Sequence, residues 1–288
     1  VTSVMNAHPI VASMGDDRES VIARMHRAQI RQMPIIDASG ELKGMEILDE
    51  LLTPETPKNS VVLMAGGLGT RLAPLTEDCP KPMLHIGGRP ILETILINFI
   101  DYGFKHFYIS VNHKADMIAE YFGDGSSRAV SIEYIHEDKR LGTAGALSLL
   151  PDRPVLPFIV MNGDILTKTN FNHMLKFHRA QAAKATMCVR DYEYQVPYGV
   201  IRLDGQQILD IQEKPKQRFF VNAGIYVLDP DVLDLIPRQE YLDMTSLFER
   251  IVKENLPTSV FPIREYWLDV GRHADLDQAR EDFEVTFK

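Results

Sequence analysis

The chain has 288 residues, 45% of them hydrophobic and 25% charged, enough to bury one large core or two modest ones. No apolar run reaches membrane-spanning length, which excludes a helical span. The formal net charge of −9 excludes an extended basic surface for nucleic acid. Cys79 and Cys188 match no metal or redox spacing and predict a cytoplasmic protein without disulfides. Val1 to Pro9 lacks the basic-then-apolar pattern of a secretory signal, and because the chain begins at Val1 rather than Met we expect its native start to lie upstream.

In chain order, the pattern predicts a helix over Arg18 to Gln29, a strand over Met33 to Ile36, a turn at Ala38-Ser39-Gly40, a short strand, and a helix over Leu48 to Leu52. This piece, residues 1–54, is small for an independent domain and is expected to pair with something. Thr53-Pro-Glu-Thr-Pro-Lys-Asn-Ser60 has the proline content of a linker. Residues 60–288 then form the second domain. Ser60 to Ala65 is a continuous apolar run, as a buried parallel strand would be. Ile91, Leu92, Ile95, Phe99 and Ile100 share one helical face. Strands follow at His106 to Val111, Ser131 to Ile135 and Phe158 to Met161, with helices at Ala115 to Phe122, Thr143 to Leu149 and Phe171 to Gln181. The later part is richer in strand (Lys184 to Val189, Gly199 to Leu203, Val221 to Leu228, Thr258 to Pro262) and closes with a helix from His273. This alternation predicts an α/β fold with a mostly parallel, doubly wound sheet, whose ligands bind beyond the carboxyl ends of the strands.

The first of these strands runs into Ala65-Gly66-Gly67-Leu68-Gly69-Thr70-Arg71-Leu72, followed by Pro80-Lys81-Pro82. Glycines after a strand let backbone amides approach a phosphate or base without an intervening Cβ. The spacing is not that of a P-loop. Nor is it a dinucleotide fingerprint, since no helix follows directly and Ile86-Gly87-Gly88 stands where the ribose-binding acid belongs. A flexible turn with coincidental glycines is the plain alternative, and Arg71 and Lys81 weigh against it.

GGLGTRLAPLT followed by PKPM closely resembles the signature loop of the sugar-1-phosphate nucleotidylyltransferases, and the likeness runs from residue 60 to about 283. Leu141-Gly-Thr-Ala-Gly145, Met161-Asn-Gly-Asp164, Tyr198-Gly-Val200, Glu213-Lys-Pro215, Asn222-Ala-Gly-Ile-Tyr226 and Trp267-Leu-Asp-Val-Gly271 follow in the family's order. The resemblance implies a Rossmann-like fold of the nucleotide-diphospho-sugar transferase type. It also implies a reaction, attack of a sugar-1-phosphate oxygen on the α-phosphorus of a nucleoside triphosphate with release of pyrophosphate. A phosphate monoester is largely ionised at pH 7, so this chemistry needs no general base; it needs two polyanions aligned and their charge offset.

By that resemblance Arg71 would hold the β- and γ-phosphates, Lys81 the α-phosphate and Lys214 the phosphate of the sugar. Asp164 and Asp269 would carry Mg2+, which takes few carboxylates plus phosphate oxygens and water. Ala65, Gly66, Gly67, Gly69, Thr70, Glu137, Gly142 and Thr143 would line the nucleotide, and Asn162, Tyr198, Gly199, Glu213 and Asn222 a polar hexose. Taken singly, an aspartate after a strand is more often a helix cap, and a lysine beside proline a solvated turn. Arg272 departs from the small or hydroxyl residue expected after WLDVG.

Glu137 stands where the thymidylyl and uridylyl enzymes of the family carry glutamine. A carboxylate accepts only, and guanine presents two adjacent donors, so the substitution resembles the mannose-1-phosphate guanylyltransferase branch and points to GTP. The alternative is a surface acid in the charged run Glu137-Asp138-Lys139-Arg140. In the N-terminal part, Met33-Pro-Ile-Ile-Asp37 and Gly40-Glu-Leu-Lys-Gly44 resemble one copy of a cystathionine-β-synthase (CBS) motif. Such motifs pair to bind adenosyl nucleotides, though Ile47 and Glu50 depart from the ligand-binding ending. CBS-linked nucleotidylyltransferases resemble glucosamine-1-phosphate guanylyltransferases, so a hexose- or hexosamine-1-phosphate is the expected second substrate, in a homo-oligomer. Competing readings are an inactive nucleotide-sugar sensor, the same chemistry with UTP, dTTP or CTP, and, more distantly, a nicotinamide oxidoreductase.

Overall fold

The computed structural model of the chain describes residues 6, 9–52, 56–67 and 69–287, with the backbone alone described at 50 and 52. The predicted linker residues Thr53 to Glu55, and Leu68 in the glycine loop, lie outside the described residues. Two compact units divide the chain, residues 1–56 and 57–288.

The first unit contains β1 (Ala12–Ser13), α1 (Arg18–Ala28), β2 (Gln32–Ile36), β3 (Leu42–Ile47) and α2 (Leu48–Leu52). Asp17 caps α1 by accepting from Ser20 N at 2.8 Å. Asp37 organises the β2–β3 turn, accepting from the hydroxyl of Ser39 and the amides of Ser39 and Glu41. The hydrogen bonds from Ser39 and Glu41 pull its carboxyl down to about 2. β1 pairs parallel to β2 and β2 antiparallel to β3, over a core of Ala12, Val21, Met25, Met33 and Leu48.

The second unit runs β4 (Val61–Met64), α3 (Leu75–Asp78), the small hairpin β5 (His85–Ile86) and β6 (Arg89–Pro90), α4 (Ile91–Asp101), β7 (His106–Val111), α5 (Ala115–Phe122), β8 (Ser131–His136), α6 (Gly142–Gly145), β9 (Phe158–Asn162), β10 (Ile165–Thr167), α7 (Phe171–Ala180), β11 (Ala185–Gln195), β12 (Val200–Asp204), β13 (Gln207–Gln212), β14 (Lys216–Leu228), α8 (Met244–Lys253), β15 (Thr258–Ile263), β16 (Trp267–Asp269) and α9 (His273–Thr286). Seven strands form the central sheet in the order β15-β11-β14-β9-β4-β7-β8, and β14 alone runs against the rest. The mostly parallel prediction therefore holds. β4 is apolar throughout because both its faces are covered: Val61 and Leu63 join the larger core and Val62 the smaller one on the other side.

Three predicted elements differ markedly in extent. The helix expected over Thr143 to Leu149 is a single α turn continued by a 3-10 turn, Ala146–Leu149. Its first amides are bonded outside the helix, as described below. β11 and β14 extend well beyond the apolar runs predicted for them, through polar pairs such as Lys216–Glu193 and Arg218–Glu193. Their outer halves and the β12–β13 hairpin carry exposed apolar side chains, among them Tyr194, Ile201, Ile211 and Phe220.

Candidate active site

The carboxyl ends of β4, β8 and β9 and the middle of the reversed β14 meet at one end of the sheet. Because β14 pairs antiparallel with β9, with Ile225 opposite Met161, its central residues Asn222 to Gly224 reach the end where β9 stops at Asn162. β9 hands over to Asp164, and the β10–β16 pair places Asp269 opposite Ile165, while Val270 N donates to Asp164 O at 3.0 Å. Two aspartates 105 positions apart in sequence are thereby made neighbours.

Lys81 joins them. The 3-10 turn Lys81–Met83, begun by Pro80 and stiffened by Pro82, buries the lysine to 7% exposure. Its Nζ donates to Asp164 Oδ2 and stands 4.0 Å from Asp269 Oδ1. Burial, and then the Asp164 carboxylate, push Asp269 above the ordinary carboxylate value, against the pull of Lys81 and Arg71. The space about Gly271 brings Arg71 into the group: a Cβ there would lie 3.6 Å from Arg71 Nη1, Asp269 Oδ1 and Asp275 Oδ2 alike.

Asp164 Oδ1, Asp269 Oδ1 and Asn162 Oδ1 are buried without a hydrogen-bond partner. Orphaned buried acceptors are costly, and three converging at one strand end fit a cation. Among the described residues no cluster of three or more His, Cys, Asp or Glu is arranged to hold a metal. By chemistry, two carboxylates and an amide oxygen suit a hard divalent ion that takes further oxygens from phosphate and water.

A cleft of about 210 Å³ opens beside this group, lined by Met64, Gly66, Gly67, Glu137, Arg140, Gly142, Thr143, Asn162, Asp164, Tyr241 and Asp243. Glu137 lies against Gly66, where a Cβ would come within 2.8 Å of its Oε1. Ser110 Oγ donates to Oε1, and Leu141 N donates to Oε2 at 3.1 Å. Glu137 is thus a held carboxylate rather than a free member of a charged run. Gly69, at φ +65°, packs on Lys81 and Thr76, with Cβ space of 2.9 Å to each, and Thr76 Oγ1 donates to its carbonyl. Ala65 is buried, and Thr70 opens the 3-10 turn that carries Arg71.

Gly142 and Thr143 both line the cleft, and Thr143 is tied to segment 240–244. Thr143 N donates to Asp243 Oδ1 at 3.2 Å, its Oγ1 accepts from Met244 N at 2.8 Å, and Ala144 N and Gly145 N both donate to Leu242 O. A Cβ on Gly142 would sit 2.6 Å from Leu242 O, and one on Gly145 2.3 Å from Glu240 O. These two glycines permit close packing against segment 240–244. Tyr241 and Asp243 were not singled out from the sequence. They follow no strand and belong to no motif, and only the fold brings them here.

Of the sugar-side residues, Asn162 Nδ2 packs on Gly224, and Asn222 accepts from Gly224 N while donating to Tyr226 OH. Tyr198, Gly199, Glu213 and Lys214 lie on the β12–β13 arm, where Gly199 faces Glu213 Oε2 and Lys214, at φ +47°, accepts from Gln195 Nε2 through its carbonyl. These contacts tie Gly199, Glu213 and Lys214 to the arm; the described contacts of the Lys81–Asp164–Asp269 group include none of the four.

A doubly wound sheet with a glycine loop, a buried lysine and two aspartates at its carboxyl edge defines a nucleotide-handling α/β protein. Residues 60–285 match the nucleotidyl transferase family, and the chain belongs to it. It is 34% identical over 238 residues to the UTP–glucose-1-phosphate uridylyltransferase of Synechocystis sp., covering 76% of this chain and 61% of that protein. To the mannose-1-phosphate guanyltransferase of Saccharomyces cerevisiae it is 32% identical over 223 residues, covering 74% and 62%. The chain thus spans about three fifths of the length of these relatives. The crystal structure of HddC from Yersinia pseudotuberculosis complexed with GMP-PN superposes with a TM-score of 0.61 at 25% identity, covering 78% of this chain and 99% of that one. No helix among the described residues is long and apolar enough to cross a membrane.

Proposed function

We propose that this chain is a magnesium-dependent sugar-1-phosphate nucleotidylyltransferase that uses GTP and a hexose- or hexosamine-1-phosphate. The observation that carries the reading is the convergence of Lys81, Asp164 and Asp269, with two carboxylate oxygens left orphaned at the mouth of a cleft beyond the strand ends. A sugar-phosphate oxygen attacks the α-phosphorus, the bond from that phosphorus to the bridging oxygen breaks, and pyrophosphate leaves with the electron pair. Lys81 and Arg71 offset charge on the triphosphate, and Lys214 takes the phosphate of the sugar. Gly66 and Gly67 let the nucleotide lie on the backbone, and Glu137 accepts from the two donors of guanine. Asp164 and Asp269 would hold Mg2+, which when bound neutralises phosphate charge and orients the reacting groups.

Asn162, Tyr198, Gly199, Glu213 and Asn222 supply the polar contacts of the hexose. The N-terminal unit is read as one CBS-type copy, able to hold an adenosyl nucleotide only when a second copy completes the pair, in a homo-oligomer of a cytoplasmic enzyme. The likeness to guanylyltransferases supports the base, and the held Glu137 supports it independently. The test is pyrophosphate release with GTP, UTP, dTTP, CTP and ATP, each against mannose-, glucose- and glucosamine-1-phosphate. Turnover confined to GTP is expected; no turnover with any pair would transfer the assignment to a binding-only protein.

A further inference from the structure

One wall of the cleft has no part in the chemistry described so far. Asp243 occupies the N-cap position of α8, where an aspartate ordinarily accepts from the first turn of its own helix, but here its side chain makes no such bond. The first amide of α8, Met244 N, is capped instead by Thr143 Oγ1. The carboxylate of Asp243 is turned into the cleft, with Oδ1 accepting from Thr143 N and Oδ2 from Tyr241 OH at 2.7 Å. Tyr241 is 62% exposed, so a large ring stands in solvent at the cleft wall with its hydroxyl tethered. A tethered aromatic loses little freedom on covering a ligand, and an amphipathic ring suits a site with one wet end. The same segment also sets Glu137: Leu242 N donates to Leu141 O at 2.8 Å, and Leu141 N donates to Glu137 Oε2.

We propose that Tyr241 is a further nucleotide-binding residue, its ring covering the face of the nucleobase whose edge Glu137 reads, and that Asp243 is the positioning residue that holds it there. A base recognised only along its edge by Glu137 still exposes two apolar faces, and Tyr241 is the exposed aromatic among the residues lining the cleft. The inference rests on the reading of the cleft as a nucleotide site, and its test separates the two.

Calorimetric binding of GMP and of inorganic pyrophosphate is measured for the wild type, Tyr241→Ala, Tyr241→Phe and Asp243→Asn, together with steady-state kinetics. Tyr241→Ala is expected to weaken GMP about tenfold, the scale of one base–aromatic stack. Its pyrophosphate binding should stay at the wild-type value, and the loss should show in KM for the nucleotide rather than in kcat. Tyr241→Phe keeps the ring but removes the hydroxyl tether outright, and Asp243→Asn keeps the ring with a weaker acceptor, so both should fall between wild type and Tyr241→Ala for GMP, with Asp243→Asn the nearer to wild type. Wild-type GMP affinity in Tyr241→Ala overturns the proposal. So does an equal loss of GMP and pyrophosphate, which marks a collapsed wall, or a Phe variant as weak as the Ala variant. A wild type that binds no nucleotide overturns both this proposal and the nucleotidylyltransferase reading, and is recognised by the silence of the unmutated protein.

Discussion

Lys81 and Asp164, 83 positions apart in the chain, share a hydrogen bond beside the candidate nucleotide cleft, the lysine buried to 9% side-chain exposure and the aspartate to 25%. The bond joins the glycine-loop side of the site to the end of β9, so the lysine is the counter-charge of two acids and, on the proposed function, an anion-binding group as well. Lys81→Met leaves those acids facing each other without a cation. It should lower kcat/KM by about a hundredfold or more, the scale of removing one preorganised charge-stabilising group, and destabilise the fold by about 1–3 kcal/mol through the uncompensated partner. Pyrophosphate-release kinetics and urea unfolding check the two effects separately, and wild-type kinetics in a folded variant would remove Lys81 from the machinery.

Asp269 gives the opposite sign in stability. Its carboxylate stands beside Asp164 in a place where burial already disfavours charge, so without a divalent ion the pair is repulsive. Asp269→Asn should leave the melting temperature of the metal-free protein unchanged or raised, and abolish turnover. Addition of Mg2+ should raise the melting temperature of the wild type and not that of the variant. A variant that melts below the metal-free wild type contradicts this account.

Glu137→Gln tests base recognition. The amide keeps one oxygen, which Leu141 N requires, and must turn its NH2 toward Ser110. On the proposed function, a group that accepts from two guanine donors then offers a donor of its own. The ratio of kcat/KM for GTP over UTP should fall by about tenfold or more, the value of mispairing a buried polar contact. An unchanged ratio would reduce Glu137 to a structural acid.

The glycines divide into two kinds. Alanine at Gly142 or Gly145 collides with the carbonyls of Leu242 and Glu240, and Gly142 also needs φ +75°. Each substitution should cost about 2 kcal/mol or more of stability. Gly67 has nothing within 4 Å of its Cβ position, so Gly67→Ala should fold as well as wild type and raise KM for the nucleotide. Equal stability losses at all three positions would show that the glycine loop, too, serves packing.

His178 supplies a pH dependence away from the site. It is 1% exposed, with Nδ1 at 2.8 Å from Thr186 Oγ1, and burial holds its imidazole below the ordinary 6.5. Above that value the ring is neutral whether folded or unfolded and contributes nothing to the slope. As pH falls below it, the unfolded chain takes up a proton that the folded chain refuses, so stability is lost at up to about 1.4 kcal/mol per pH unit. Urea unfolding at pH 7.5 and 5.5 should show a larger drop for wild type than for His178→Gln. Parallel drops would assign the loss to other groups.

The layout of the sheet was legible in the chain because each strand carries its own signal: Val61 to Met64 is apolar on both faces, and helices of period 3.6 separate it from the next strands. The glycine loop, Lys81 between prolines and the aspartates after strands were legible for the same reason, since short-range spacing states what a backbone can approach. The outer halves of β11 and β14 were not, because polar residues there are held by cross-strand partners far away in the chain. Nor was Asp243, which reads as an ordinary helix cap until Thr143 takes over the capping.

What the sequence determined by itself is the class of fold and the chemical identity of the groups at the carboxyl edge, both properties of local pattern. Only the tertiary structure decided which groups meet. The β10–β16 register sets Asp269 beside Asp164, and the return of segment 240–244 onto α6 leaves room at Gly142 and Gly145 for no side chain. Those outcomes depend on contacts about a hundred residues apart, where side chains select their partners by shape and charge across a closed core.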